Sequence, residues 1–185
     1  MSLLPFFQWL AKTPGSQALL GSETVWPLVE SFHVWTLPVF AGLTAILDLR
    51  LLGVVMRRVP VSEVTRRLLP WMTAGFVVMV LTGMLLLYAK PVRTYQSIWF
   101  RGKVVLLILA GLNVWIFNSG VYKKIADWDL TVPPRPAMRA GAVSLVLWAA
   151  IIMAGRMIAY NWYDCDKPQA AIVNLLAGCV VEPGE

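Results

Sequence analysis

The chain has 185 residues, 58% of them hydrophobic and only 14% charged, with a formal net charge of +6. A soluble domain carries about 25% charged residues, and here the apolar residues come in long blocks, which excludes a water-soluble fold. The basic residues gather at the ends of those blocks and form no patch, which argues for anionic lipid and against nucleic acid as the electrostatic partner.

In chain order, residues 1–25 read as an N-terminal interfacial segment. The apolar run of Leu3, Leu4, Phe6, Phe7, Trp9 and Leu10 is broken by Thr13-Pro14-Gly15. It lacks a basic start and a sustained apolar stretch, so a helix lying in the membrane interface is expected and not a cleaved signal. A hydrocarbon layer roughly 30 Å thick needs about 20 helical residues, and four stretches meet that requirement. The expected spans are 26–52, 69–88, 98–119 and 138–160, forming one bundle over 26–160. The fold class is therefore all-α, an integral membrane four-helix bundle with short interfacial helices at both termini.

The connections are short. Arg57–Leu68 reads as an arginine-rich polar turn. Thr131–Pro136, with Pro133, Pro134 and Pro136, reads as a stiff extended segment. Residues 161–185 form a tail in which the two cysteines, Cys165 and Cys179, are expected to pair, with Gly178 ending a short helix over Gln169–Ala177 and turning Cys179 back. Closing that loop would stabilise the tail by roughly 3 kcal/mol on the chain-entropy model.

Nine Lys and Arg lie on the side of the first and third connections and seven on the side of the termini. Positive residues mark the cytoplasmic side, so a bacterial inner membrane with both termini periplasmic is expected. An oxidising compartment for the cysteines agrees with that orientation. Tyr88, Tyr95, Trp99, Tyr122, Trp128, Tyr160, Trp162 and Tyr163 flank the spans as an interfacial aromatic belt would. Ala41–Ala45, with Gly42, offers a small face for close helix approach on the first span, and Gly75 and Gly83 do the same on the second.

The only histidine, His33, lies inside the first span. At about 100° per residue, Thr44 falls roughly 20° from it around the helix, and Asp48 and Glu30 roughly 60°. Glu30, His33, Thr44 and Asp48 thus make one polar stripe, which should face the bundle interior. Pro38, in the same helix, frees the carbonyl of Val34.

Three readings of His33 stand. It is an axial ligand of haem b, with a methionine as sixth ligand, a five-coordinate iron, or a site shared by a homodimer. It is a copper ligand with Met84, Met153 and Met157 as soft partners. Or it joins helices by a hydrogen bond. Met84, Lys103, Met153 and Arg156 lie at matching depth and complete the candidate cofactor set. Arg93, Arg101, Lys103 and Arg156 crowd the end of the bundle near the termini, where haem propionates, a quinone headgroup, anionic lipid or an acidic protein would suit them. Lipid snorkelling accounts for Arg101 and Lys103. Arg156 is expected to pair with Glu30, and Asp48 with Arg139.

No phosphate-binding loop, dinucleotide glycine pattern, zinc-protease motif or esterase elbow appears. The chain alone is expected to be an electron-transfer or accessory subunit and not an enzyme, working with other membrane or periplasmic subunits and with quinone. The alternatives are a non-catalytic anchor or assembly subunit and a copper-handling protein.

The strings Glu30-Ser-Phe-His33, Asp48-Leu-Arg50-Leu-Leu-Gly53, Thr82-Gly83, Phe100-Arg-Gly-Lys103 with Tyr95, Ala110-Gly-Leu-Asn113, and Ser144, Trp148, Gly155-Arg156 and Ala159-Tyr160 belong together. Over roughly Glu30–Tyr160 they resemble a family of small, uncharacterised bacterial inner-membrane proteins with four helices. That family looks distantly like copper-resistance D and b-type cytochrome membrane modules. The resemblance implies a haem or metal context. Where its pattern often has histidine, this chain has Asn118.

Overall fold

The computed structural model describes residues 3–160, 165 and 170–179. Helix α1 covers Leu4–Ala11 and α2 Pro14–Gly21, each with proline in its first turn, where the missing N–H costs nothing. The long helices are α3 over Val25–Leu51 and α4 over Val61–Ala89. A short α5, Pro91–Tyr95, leads to α6 at Ile98–Ile116, which continues through a π-type turn over Phe117–Val121 and a 3₁₀ segment to Asp127. Helix α7 spans Arg135–Ala159, and α8, Ala171–Ala177, closes the described chain. Among the described residues there is no strand.

Four of these helices are long and apolar enough to cross a membrane. Large side chains such as Trp35, Trp71, Trp115 and Val146 stand on their outer surfaces, two thirds or more exposed. Water would penalise that much apolar surface and lipid does not, so the fold fits a multi-pass membrane protein.

Helix α3 packs on α4 and on α7, and α7 packs on α6; α4 and α6 are not a closely packed pair. The α3–α7 seam joins the two halves. There Asp48 and Leu51 of α3 lie against Gly141 of α7, Asp48 neighbours Ser144, and Leu51 packs with Ala137, while α7 also buries Ile151 and Ala154. The spacings on α7, of three, four or seven residues, put these positions on one stripe, small but for Ile151. Phe40 meets Trp148 edge-on at 4.7 Å.

Three boundaries depart from expectation at the end opposite the termini. Helix α4 begins at Val61, so much of the expected turn over Arg57–Leu68 is helical. Asp129 explains this: its carboxylate accepts the Ser62 N–H at 2.8 Å and the Ser62 hydroxyl, capping α4 from 67 residues away. Glu63 in the first turn pairs with Arg66 and Arg67. The third span runs on to Asp127, and Pro136 lies in the first turn of α7, where proline is accommodated. An Asp129→Ala change should lower stability by about 1–2 kcal/mol, read as thermal unfolding in detergent and absent for Asp127→Ala.

The same end has its own core of Leu51, Val61, Trp128 and Ala137, with Phe117, Val121 and Ile125 against it. Trp128 is therefore buried and not part of an interfacial belt. Trp162 and Tyr163 lie outside the described residues.

Candidate functional site

His33 sits about two turns into α3 and is half-buried against α4. Its Nδ1 lies 2.9 Å from the Thr82 hydroxyl oxygen. That hydroxyl donates its own hydrogen to the Val78 carbonyl at 2.7 Å, so towards the imidazole it offers a lone pair. In the tautomer that matches this, Nδ1–H donates to Thr82 and Nε2 keeps its lone pair, with no side-chain hydrogen bond to Nε2 among the described residues. A carbonyl, that of Met79, also lies beside the ring. Gly83 makes the approach possible: a Cβ there would stand 3.3 Å from His33 Cε1.

Lys103, on α6, is half-buried and close enough for its charge to act on His33. Its Nζ would lie 3.4 Å from a Cβ at Gly155 of α7, so that glycine leaves room for the amine. His33 and Lys103, with Thr82, Gly83 and Gly155 as support, are the polar groups assembled at this depth.

The other candidates go elsewhere. Met84 and Met153 are 63% and 57% exposed on the outer faces of α4 and α7, so this chain does not bring them to His33. Arg156 is exposed too, and its guanidinium stacks 5.1 Å from the Tyr160 ring centre. Glu30 is exposed and makes no ion pair with Arg156, because α7 turns Arg156 outward beside the inward Gly155. Among the described residues no three His, Cys, Asp or Glu side chains converge.

The polar stripe divides along α3. Thr44 and Asp48 are buried at the seam with α7. The Thr44 hydroxyl returns to the Phe40 carbonyl at 2.8 Å, and Asp48, 5% exposed, has the Ser144 hydroxyl as its side-chain neighbour. Arg139 is exposed and does not reach Asp48, whose backbone lies against Gly141 instead. Asn118 stands exposed on the π-type turn.

At the end near the termini, Arg101 does not snorkel. It donates to the Tyr95 carbonyl at 3.1 Å and to the Leu176 carbonyl of α8 at 2.6 Å, complementing the last carbonyls of that helix. Gly178, at φ 68°, makes the left-handed turn that brings the Cys179 N–H to the Asn174 carbonyl. Cys179 is disulfide-bonded to Cys165. Residue Gln169, the expected start of this helix, lies outside the described residues.

Thr82 is the supporting residue that sequence reasoning missed. A threonine bonding its own helix backbone is ordinary in a spanning helix; only its position beside Gly83 and level with His33 signals more.

The fold and this site define a helical membrane protein with a single anchored imidazole in its core. The chain belongs to a family of unknown function, DUF6644, whose model matches residues 7–161. No curated protein and no solved structure matches it.

Proposed function

We propose that the protein is a bacterial inner-membrane subunit of a redox complex, both termini periplasmic, in which His33 is an axial ligand of haem b and electrons pass between quinone and a periplasmic partner. One observation carries this reading: His33 Nδ1 lies 2.9 Å from the Thr82 hydroxyl, an anchor that, with Nδ1 as donor, leaves the Nε2 lone pair for a metal. Ligand histidines are held in this way, with the other ring nitrogen donating to a neighbouring oxygen.

His33 suits iron through Nε2, and Lys103 suits a propionate carboxylate. Met84, Met153 and Arg156 do not fit, since they point away, so among the described residues His33 is the side chain best placed to ligate the iron. Haem b, when bound, supplies reversible one-electron chemistry. The protein's part is to orient the imidazole through Thr82, to balance carboxylate charge through Lys103, and to surround both with apolar helix. Copper is less well served, because two of the three soft donors, Met84 and Met153, lie on the outside and only Met157 is partly buried.

The test is a reduced-minus-oxidised spectrum with pyridine haemochrome quantitation on detergent-purified protein. Wild type is expected to hold about one haem per chain, His33→Ala to lose the bands, and Thr82→Val to weaken haem affinity about 10–100-fold. A His33→Ala protein that keeps its haem, or a folded wild type that is colourless, overturns the reading. The colourless outcome favours the anchor alternative, which the His33–Thr82 bond between α3 and α4 also supports.

A further inference from the structure

Two opposite charges stand on the outer surface of the bundle at one level, and they do not meet each other within the chain. Glu30 is exposed on α3, and among the described residues it has no hydrogen bond or ion pair. Arg156 is exposed on α7, where its guanidinium lies over the Tyr160 ring and meets no carboxylate among the described residues. A guanidinium held over a ring still has N–H donors to offer a carboxylate.

Their depths match. Glu30 lies one turn inside Trp26 on α3, which starts at the end near the termini, and Arg156 lies one turn inside Tyr160 on α7, which finishes there. One turn is about 6 Å, so both groups sit just below the aromatic level that marks the interface. A carboxylate on a two-methylene stem has little reach from that depth, and a charge turned towards hydrocarbon is costly.

Depth also selects the partner. Identical chains inserted in the same sense carry both groups at the same level, so a second copy supplies each charge with its opposite and no helix has to shift. Helices α3 and α7 pack on each other, which puts the two groups on adjoining helices. A two-fold axis along the membrane normal then repeats the contact, with Glu30 meeting the partner's Arg156 and Arg156 meeting the partner's Glu30. Apolar side chains flank both charges. Val34 lies beside Glu30, and Met153 and Tyr160 lie beside Arg156, each more than half exposed and three or four residues away on the same side of its helix.

We propose that the protein pairs with a second copy of itself through the outer surfaces of α3 and α7, held by two Glu30–Arg156 ion pairs near the end that carries the termini. An arginine–carboxylate pair is strong where water is scarce, and each pair removes two lipid-facing charges. The contact is independent of His33, which lies against α4, and of any cofactor there.

The experiment is Förster transfer between donor-tagged and acceptor-tagged full-length chains, co-reconstituted in phosphatidylethanolamine–phosphatidylglycerol vesicles over a range of lipid-to-protein ratios. Wild type is expected to associate. Glu30→Arg alone and Arg156→Glu alone each place like charges at both contacts and should weaken self-association roughly 100-fold, about tenfold per lost pair. An equimolar mixture of these two variants restores both pairs between unlike copies, so it should associate as wild type does. A monomeric wild type, variants that associate as wild type does, or a mixture no better than its components overturns the proposal. The first outcome leaves Glu30 for a lipid ammonium or a cation of another subunit, and the last assigns the pair to a single chain. Should an inverted variant fail to fold, Glu30→Gln and Arg156→Gln decide in its place. Each must weaken association about tenfold or more, and Arg139→Gln, exposed at the other end of α7, must not; any other result overturns the contact.

Discussion

Gly141→Leu is expected to abolish the folded bundle, and even Gly141→Ala to lower its stability by about 1–3 kcal/mol. A Cβ at this position would stand 2.9 Å from the Asp48 carbonyl oxygen, 3.2 Å from Leu51 Cβ and 3.5 Å from Asp48 Cα. The first and last of these are backbone atoms, which cannot swing aside as a flexible side chain does. The two helices would have to part by several tenths of an ångström. Alanine gains about 1 kcal/mol over glycine in helix propensity, so a net loss means that the contact outweighs it. The damage would spread, because the α3–α7 seam is what joins the α3–α4 pair to the α6–α7 pair. Separation there takes Ser144 from Asp48 and exposes a carboxyl that now sits 5% exposed. Gly111 of α6 provides the control, since a Cβ there meets nothing within 4 Å. Thermal unfolding in one detergent should rank Gly111→Ala at or above wild type and Gly141→Ala well below. Equal melting of the two alanine variants would remove the close-contact argument.

What could be read from the sequence follows the range of the interactions involved. The four spans were legible because hydropathy is a local property, and the bilayer sets their length. His33 was legible because an ionisable group in such a segment stands out by itself. Of the three glycines expected at close approaches, Gly75 meets Phe40 and Gly83 meets His33, whereas a Cβ at Gly42 would meet nothing within 4 Å. Gly141 was not marked, since a glycine in a spanning helix is common and only the partner helix shows which one is in contact.

The start of α4 was misplaced because its cap, Asp129, comes from a distant loop that local pattern cannot supply. Arg156 and the methionines were assigned by depth alone. Depth gives a level in the membrane but not the rotation of the helix, and rotation turned Met84, Met153 and Arg156 outward. Trp128 was read as an interfacial anchor by its position beside a span, yet tertiary packing buries it under the end of α3. The same limit applies to Arg50. It was counted among the loop charges, whereas the fold buries it almost completely.

Arg50→Ala should cost about 3–5 kcal/mol, and the comparison with Arg50→Met separates the two causes. Arg50 is 1% exposed, the bulkiest of the fully buried side chains, in the last turn of α3. Its Nε donates to the Val59 carbonyl at 2.8 Å, tying the connection between α3 and α4 back to the end of α3. Asp129, which caps α4, is close enough to act on it electrostatically. Arg50 therefore links the end of α3, the connection and the loop that starts α4. Truncation to alanine removes the bond to Val59, worth about 1.5–3 kcal/mol for a charged donor, and leaves a cavity that costs about 24 cal/mol per Å³. Methionine restores most of the volume without the charge. It also removes Nη2, a buried donor that has no partner among the described residues. If volume dominates, Arg50→Met should recover at least half of the stability lost in Arg50→Ala, measured as thermal unfolding in the same detergent. If the guanidinium's bond to Val59 dominates, methionine and alanine should melt together. Burial of a donor without a partner favours the first outcome, because only part of the guanidinium's hydrogen-bonding capacity is used here.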